Sequence, residues 1–175
     1  KPREVMITLQ ALFQDYSHRL QELYSKQEAE SLVFWLFEAY LGKKRMDLLK
    51  NEGLDKEPQE LSQALENLLQ GIPIQYILGK APFYGREFFV SPAVLIPRNE
   101  TEELVHLIIN ENPNEGLRIL DIGTGSGCIP ITLDLEMKTP TVLGLDISHE
   151  ALDIANKNAN LLQSRVDFIQ LDILN

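Results

Sequence analysis

The string best suited to holding a ligand is Asp121-Ile122-Gly123-Thr124-Gly125-Ser126-Gly127. Glycines at alternate positions let the chain turn tightly and let a ligand approach the backbone. The spacing is G-x-G-x-G. The dinucleotide fingerprint is G-x-G-x-x-G, and its third glycine would fall on Cys128. Asp121, two residues before the first glycine, would repel a pyrophosphate, which argues against a nicotinamide dehydrogenase. It suits a ligand with cationic ammonium and sulfonium centres. Asp146 closes the next apolar segment, and a carboxylate there can accept both hydroxyls of a ribose. Asp172 closes a third segment, where it can meet the exocyclic amine of an adenine with Ile173 against the ring. A solvated Asp at a strand end is the competing reading for Asp172. His18, His106 and His149 have no partner at metal-ligand spacing, so no metal site is expected. Cys128 reads as a small packed side chain.

These residues need elements to hold them. Residues 117–122, 141–146 and 166–171 read as short strands, with helices near 127–137 and from a Ser148 cap to about Leu162. Strand–helix–strand–helix–strand predicts an α/β fold, a parallel sheet with right-handed crossovers. Ligands of such sheets bind outside the carboxyl ends of the strands, where the glycine turn, Asp146 and Asp172 all fall. Asn99 with Glu102 resembles a capping box opening a helix over 100–112. Residues 72–98 are rich in Pro and Gly, and Phe83-Tyr84 and residues 87–90 read as strands turning about Gly85-Arg86. Residues 5–71 read as helices. Val5, Leu9, Leu12, Tyr16, Leu20 and Leu23 form one apolar stripe, and a second helix ends at Gly42. A third starts with Pro58 as its first residue and stops at Gly71. The expected division is a helical bundle over 1–71, a hairpin linker over 72–98 and an α/β portion over 99–175.

The glycine string together with Gly144-Leu145-Asp146 resembles the cofactor signature of class I S-adenosylmethionine-dependent methyltransferases. Two upstream strings are more discriminating: Gly71-Ile72-Pro73-Ile74-Gln75-Tyr76-Ile77-Leu78-Gly79, and residues 90–102, which read Val-Ser-Pro-Ala-Val-Leu-Ile-Pro-Arg-Asn-Glu-Thr-Glu. They resemble the peptide chain release factor glutamine methyltransferases, with Asn99 standing where that family usually has Pro. The resemblance implies the first half of a Rossmann-like methyltransferase sheet, preceded by a helical bundle that docks substrate and by a β-hairpin linker. It implies S-adenosylmethionine as cofactor and release factors as protein partners. The reaction it implies is methylation of the glutamine side-chain amide in their Gly-Gly-Gln motif, a step tied to translation termination. By the same resemblance, Asp121, Gly123, Thr124, Gly125, Ser126 and Gly127 approach the methionine and ribose parts of the cofactor. Asp146 takes the ribose diol, and Asp172 and Ile173 flank the adenine. Arg98, Glu100 and Thr101 lie toward the substrate, although a helix dipole alone accounts equally well for Glu100. The family's catalytic Asn-Pro-Pro-Tyr motif has no counterpart in these 175 residues. No catalytic residue is therefore expected here, and the fragment by itself is expected to be inactive. Nucleic-acid amino-group methyltransferases share that motif and remain an alternative, as does a binding module without activity.

Composition sets the outer limits. Hydrophobic residues make up 44% and charged residues 24%, which excludes a disordered chain. No apolar run reaches the ~18 residues of a membrane span. Residues 1–10 show no signal-peptide pattern, and one cysteine suits a reducing compartment, so a cytoplasmic location is expected. Sixteen basic against 26 acidic residues give a formal charge of -10, which opposes direct binding to nucleic-acid phosphates.

Overall fold

The computed structural model describes residues 6–50 and 52–174. The chain forms two compact units, Lys1–Leu78 and Gly79–Asn175. Val5, the expected start of the first apolar stripe, lies outside the described residues.

The first unit is helical: α1 (Leu9–Leu20), α2 (Lys26–Leu41), α3 (Gln59–Leu69) and the short α4 (Ile74–Leu78). A two-residue antiparallel pairing joins β1 (Ile7–Thr8) to β2 (Gly53–Leu54). The helix ends follow from local chemistry. Thr8 caps α1 by accepting the Ala11 N–H. Ser25 and Glu28 form a reciprocal capping box on α2. Gly42 ends α2 at φ 63°, in the left-handed region, with its N–H donated to the Glu38 carbonyl. Two expectations shift. The first helix stops at Leu20, which leaves Leu23 exposed instead of extending the stripe. Pro58 is the extended residue before α3 and not its first helical one, because its ψ is 136°. Leu9, Tyr16, Leu20, Val33, Phe37, Leu61, Leu65 and Leu68 form the buried core.

The second unit opens with a hairpin of β3 (Lys80–Phe83) and β4 (Arg86–Phe89), in which Phe83 pairs with Arg86. Its turn is therefore Tyr84-Gly85, one residue earlier than the sequence pattern indicated. Both residues have positive φ, 48° and 74°, as a two-residue turn matched to strand twist demands. Glu102 holds Tyr84 there by accepting its backbone N–H at 2.8 Å, and the Tyr84 hydroxyl meets His106 Nδ1 at 3.0 Å. Glu102 lies on α5 (Asn99–Glu111), so its carboxylate serves the hairpin and does not close a capping box with Asn99. Arg98 occupies the cap position of α5 without a side-chain hydrogen bond.

The remainder alternates: β5 (Arg118–Ile122), α6 (Cys128–Glu136), β6 (Thr141–Asp146), α7 (His149–Leu162) and β7 (Asp167–Gln170). The sheet order is β5-β6-β7, all parallel, with Leu120 opposite Leu143 and Leu145 opposite Ile169. With the strands in the order β5-β6-β7, α6 and α7 pack against each other on one face. Ile119, Val142 and Phe168 point to that face and pack with Phe83, Phe88, Val105, Ile131 and Ala159. On the other face Leu120, Ile122 and Ile169 remain about half exposed.

Candidate functional site

Ile122 pairs with Leu145, so Asp146 stands one step beyond, level with the start of the glycine turn. The turn is stitched to β6: Gly123 N and Thr124 N both donate to the Leu145 carbonyl, at 2.8 and 2.9 Å. Gly123, Gly125 and Gly127 have φ of 76°, 55° and 78°, a region that side chains rarely enter. The three glycines serve different ends. A Cβ on Gly123 or Gly125 would meet nothing within 4 Å, so these two leave room for a ligand. A Cβ on Gly127 would stand 3.0 Å from both the Ile131 side chain and the Phe168 ring, so this one lets the start of α6 pack closely. Gly144 is under the same ring, where a Cβ would come within 2.6 Å of Phe168.

Two carboxylates flank the turn. Asp146 Oδ2 accepts the Gly125 N–H at 2.9 Å, and Oδ1 accepts the Ser148 N–H at 3.0 Å. Each oxygen keeps further acceptor capacity, which suits a vicinal diol. Asp121 lies on the helix-covered face of β5. Burial raises its pKa above the ordinary carboxylate range; the Thr124 hydroxyl opposes the rise and the Asp146 charge adds to it. Asp121 Oδ2 and Thr124 Oγ1 are buried beside one another, and neither has a further hydrogen-bond partner. Such atoms cost free energy until something satisfies them.

Beside the turn is a cavity of about 290 Å³, walled by Ile122, Gly123, Asp146, Ile147, Asp172 and Ile173 among others. Apolar walls with two carboxylates at the rim suit a nucleoside. Asp172 Oδ1 accepts the Leu174 N–H at 2.9 Å. The structure thus gathers Gly123, Asp146, Asp172 and Ile173 around one cavity, with Asp121, Thr124, Gly125, Ser126 and Gly127 in the adjoining strand end and turn. Arg98, Glu100 and Thr101 stand at the start of α5 and do not line it; Arg98 and Glu100 are exposed. Cys128, the first residue of α6, is buried, which pushes its thiol up to about 11. That leaves it a packed side chain and not a nucleophile.

Two contributors escaped the sequence reading. Phe168 forms the floor under Gly127 and Gly144. Asn158 is fully buried on α7 and donates to the Ser126 carbonyl in the turn. Its sequence signal is a polar residue interrupting the apolar stripe Ala151, Leu152, Ala155, Ala159. Among the described residues no group of three or more His, Cys, Asp or Glu is placed to hold a metal ion. No described helix is long and apolar enough to cross a membrane.

A parallel sheet with a glycine turn and an acidic residue at the next strand end is the arrangement of a methyltransferase domain, and the family model of that description matches residues 113–175. The model described as the PrmC N-terminal domain matches residues 11–79. With both matches in one chain, and with the relatives below, the chain matches the N-terminal portion of release factor glutamine methyltransferases. It is 42% identical over 162 residues to the release factor glutamine methyltransferase of Flavobacterium psychrophilum, covering 89% of this chain and 57% of that one. It is 43% identical over 157 residues to the enzyme of the same name from Bacteroides thetaiotaomicron, covering 88% and 56%. The chain therefore spans about half the length of the curated relatives it matches, a coverage that fits their N-terminal portion. Among solved structures it is similar to a Pyrococcus abyssi tRNA (uracil-54, C5)-methyltransferase in complex with S-adenosyl-L-homocysteine. That match is 21% identical with a TM-score of 0.45, covering 53% of this chain and 23% of the other.

Proposed function

We propose that the protein carrying these residues transfers a methyl group from S-adenosylmethionine to the glutamine side-chain amide of the Gly-Gly-Gln motif in peptide chain release factors. The present residues form the cofactor half of that site. The observation that carries the cofactor reading is the Asp146 carboxylate at the rim of the cavity, beside a turn whose Gly123 and Gly125 face open space. The substrate reading rests on the relatives' names and on the N-terminal domain match.

S-adenosylmethionine supplies a methyl group activated by a sulfonium centre. In this chain Asp121 offers a carboxylate to the cationic part of such a ligand, and Asp146 offers acceptors to a ribose diol. Ile147 and Ile173 present apolar surface to the base. Gly123 and Gly125 keep the backbone bare where the ligand lies. The helical unit is read as the part that meets the protein substrate, and the net charge of -10 disfavours a nucleic-acid substrate. The test is tritiated methyl transfer by the full-length protein to purified release factor, ribosomal RNA and DNA in parallel. Label on the Gly-Gly-Gln glutamine supports the assignment; label on RNA or DNA alone overturns it.

A further inference from the structure

We propose that Asn158 is a positioning residue that makes the hairpin and the glycine turn one rigid body, so that the shape of the ligand site depends on a side chain that never reaches it. This rests on reading the turn as the cofactor site.

Asn158 is 0% exposed. Its Oδ1 accepts the Phe89 N–H at 2.6 Å, and its Nδ2 donates to the Phe89 carbonyl at 3.0 Å and to the Ser126 carbonyl at 2.9 Å. Both amide protons are therefore used, one on the hairpin and one on the turn. The pairing with Phe89 is that of a strand. Val90 N donates to the Gly79 carbonyl, on the β3 side of the hairpin, and alternation along the strand turns the polar groups of Phe89 the other way. The Asn158 carboxamide fills the place of a neighbouring strand's peptide group there. Lys157 seals the same joint from outside, its Nζ 3.7 Å from the centroid of the Phe89 ring.

The joint bears on the site because each end is otherwise tied elsewhere. Asp146 fixes Gly125, the Leu145 carbonyl fixes Gly123 and Thr124, and the Ser126 carbonyl is the turn's link to α7. From Phe89 the chain passes through the buried Val90, Val94 and Ile96 to Arg98 and α5. A shift of the hairpin is transmitted through one planar amide to the Ser126–Gly127 peptide. Aspartate at 158 has the right shape but no amide protons, and it would set a charge against two carbonyls. Alanine would strand three buried backbone groups.

The test compares Asn158→Ala with Ser164→Ala. The latter removes the Ser164 hydroxyl's hydrogen bond to Asp134, 2.8 Å, in the same unit but away from the turn. Two readouts are taken on the 175-residue chain: amide hydrogen exchange without ligand, and calorimetric titration with S-adenosylhomocysteine. Asn158→Ala is expected to speed exchange at Phe89 and at the turn amides of Gly125 and Gly127 together, and to weaken ligand binding by about tenfold or more. Ser164→Ala is expected to lower the melting temperature while leaving affinity within about twofold. Should Asn158→Ala not fold, Asn158→Ser, which keeps one donor and one acceptor, gives the same comparison. Turn amides as protected as in wild type, or Ser164→Ala weakening binding as much as Asn158→Ala, would overturn the proposal. If the wild-type chain binds no ligand, the cofactor reading fails, and the exchange comparison still decides whether Asn158 couples hairpin to turn.

Discussion

Asp146 Oδ2 accepts the Gly125 N–H at 2.9 Å, while Oδ1 of the same carboxylate accepts the Ser148 N–H at 3.0 Å. One side chain at the end of β6 thus fastens the turn leaving β5 and the loop opening α7. Asp146 therefore shapes the site before it touches any ligand. Asp146→Asn keeps the shape but points an amide N–H toward one of these donors. Its expected cost is about 1–3 kcal/mol of stability, read by urea denaturation. A cost near zero would show that the two backbone bonds contribute little.

The glycines should separate stability from binding. Gly127→Ala meets both a positive φ and a packed ring, and is expected to cost about 2–4 kcal/mol. Gly125→Ala meets only the positive φ, so about 1–2 kcal/mol is expected. Binding should run the other way per unit of lost stability, because only the Gly125 methyl enters the space left for ligand. Paired denaturation and titration curves for the two variants check this. Equal losses of both quantities would contradict it.

Asp121 makes stability depend on pH with a definite sign. Its carboxyl pKa is raised in the folded protein from an ordinary 3.8, chiefly by burial. The folded state therefore holds the proton more tightly than the unfolded chain. Its stabilising contribution is complete below the ordinary value and is lost as pH climbs through the raised one. The stability of wild type relative to Asp121→Asn should fall across that window and be flat above it, in denaturation at a series of pH values. Affinity for a sulfonium cation has the opposite trend. It should weaken as pH drops through the raised value, and Asp121→Asn should remove the dependence.

The uncovered face of the sheet should be sticky. Leu120, Ile122, Ile169 and Leu171 are each about half exposed on β5, on β7 and just beyond it, and such a patch favours association. The chain should bind an apolar dye and associate with rising concentration in sedimentation velocity. Ile122→Lys with Ile169→Lys should abolish both. A monomeric, dye-silent wild type would show the face to be harmless.

The sequence made the strand ends legible because glycine spacing and strand-end carboxylates are local signals. Asp121, Gly123–Gly127, Asp146 and Asp172 could be placed from strand order alone. The hairpin turn lies one residue before the Gly85-Arg86 that the sequence pattern indicates, because Tyr84 at φ 48° is not a residue type that announces a left-handed turn. Its reason is a long-range one: Glu102, on α5, accepts the Tyr84 N–H, which also removed the capping box expected of Asn99. The roles of Asn158 and Phe168 are hidden for the same reason, even though Asn158 breaks an apolar stripe. What they do depends on Phe89, Ser126, Gly127 and Gly144, which reach them only through the fold.

The proposed cofactor site is the turn over residues 123–127 together with the Asp146 carboxylate. Isothermal titration of the chain with S-adenosylhomocysteine, alongside Asp146→Ala, decides whether these groups hold the cofactor. One ligand per chain is expected for wild type, with an affinity at least about tenfold weaker for the variant. No binding by wild type, or equal binding by Asp146→Ala, would contradict it.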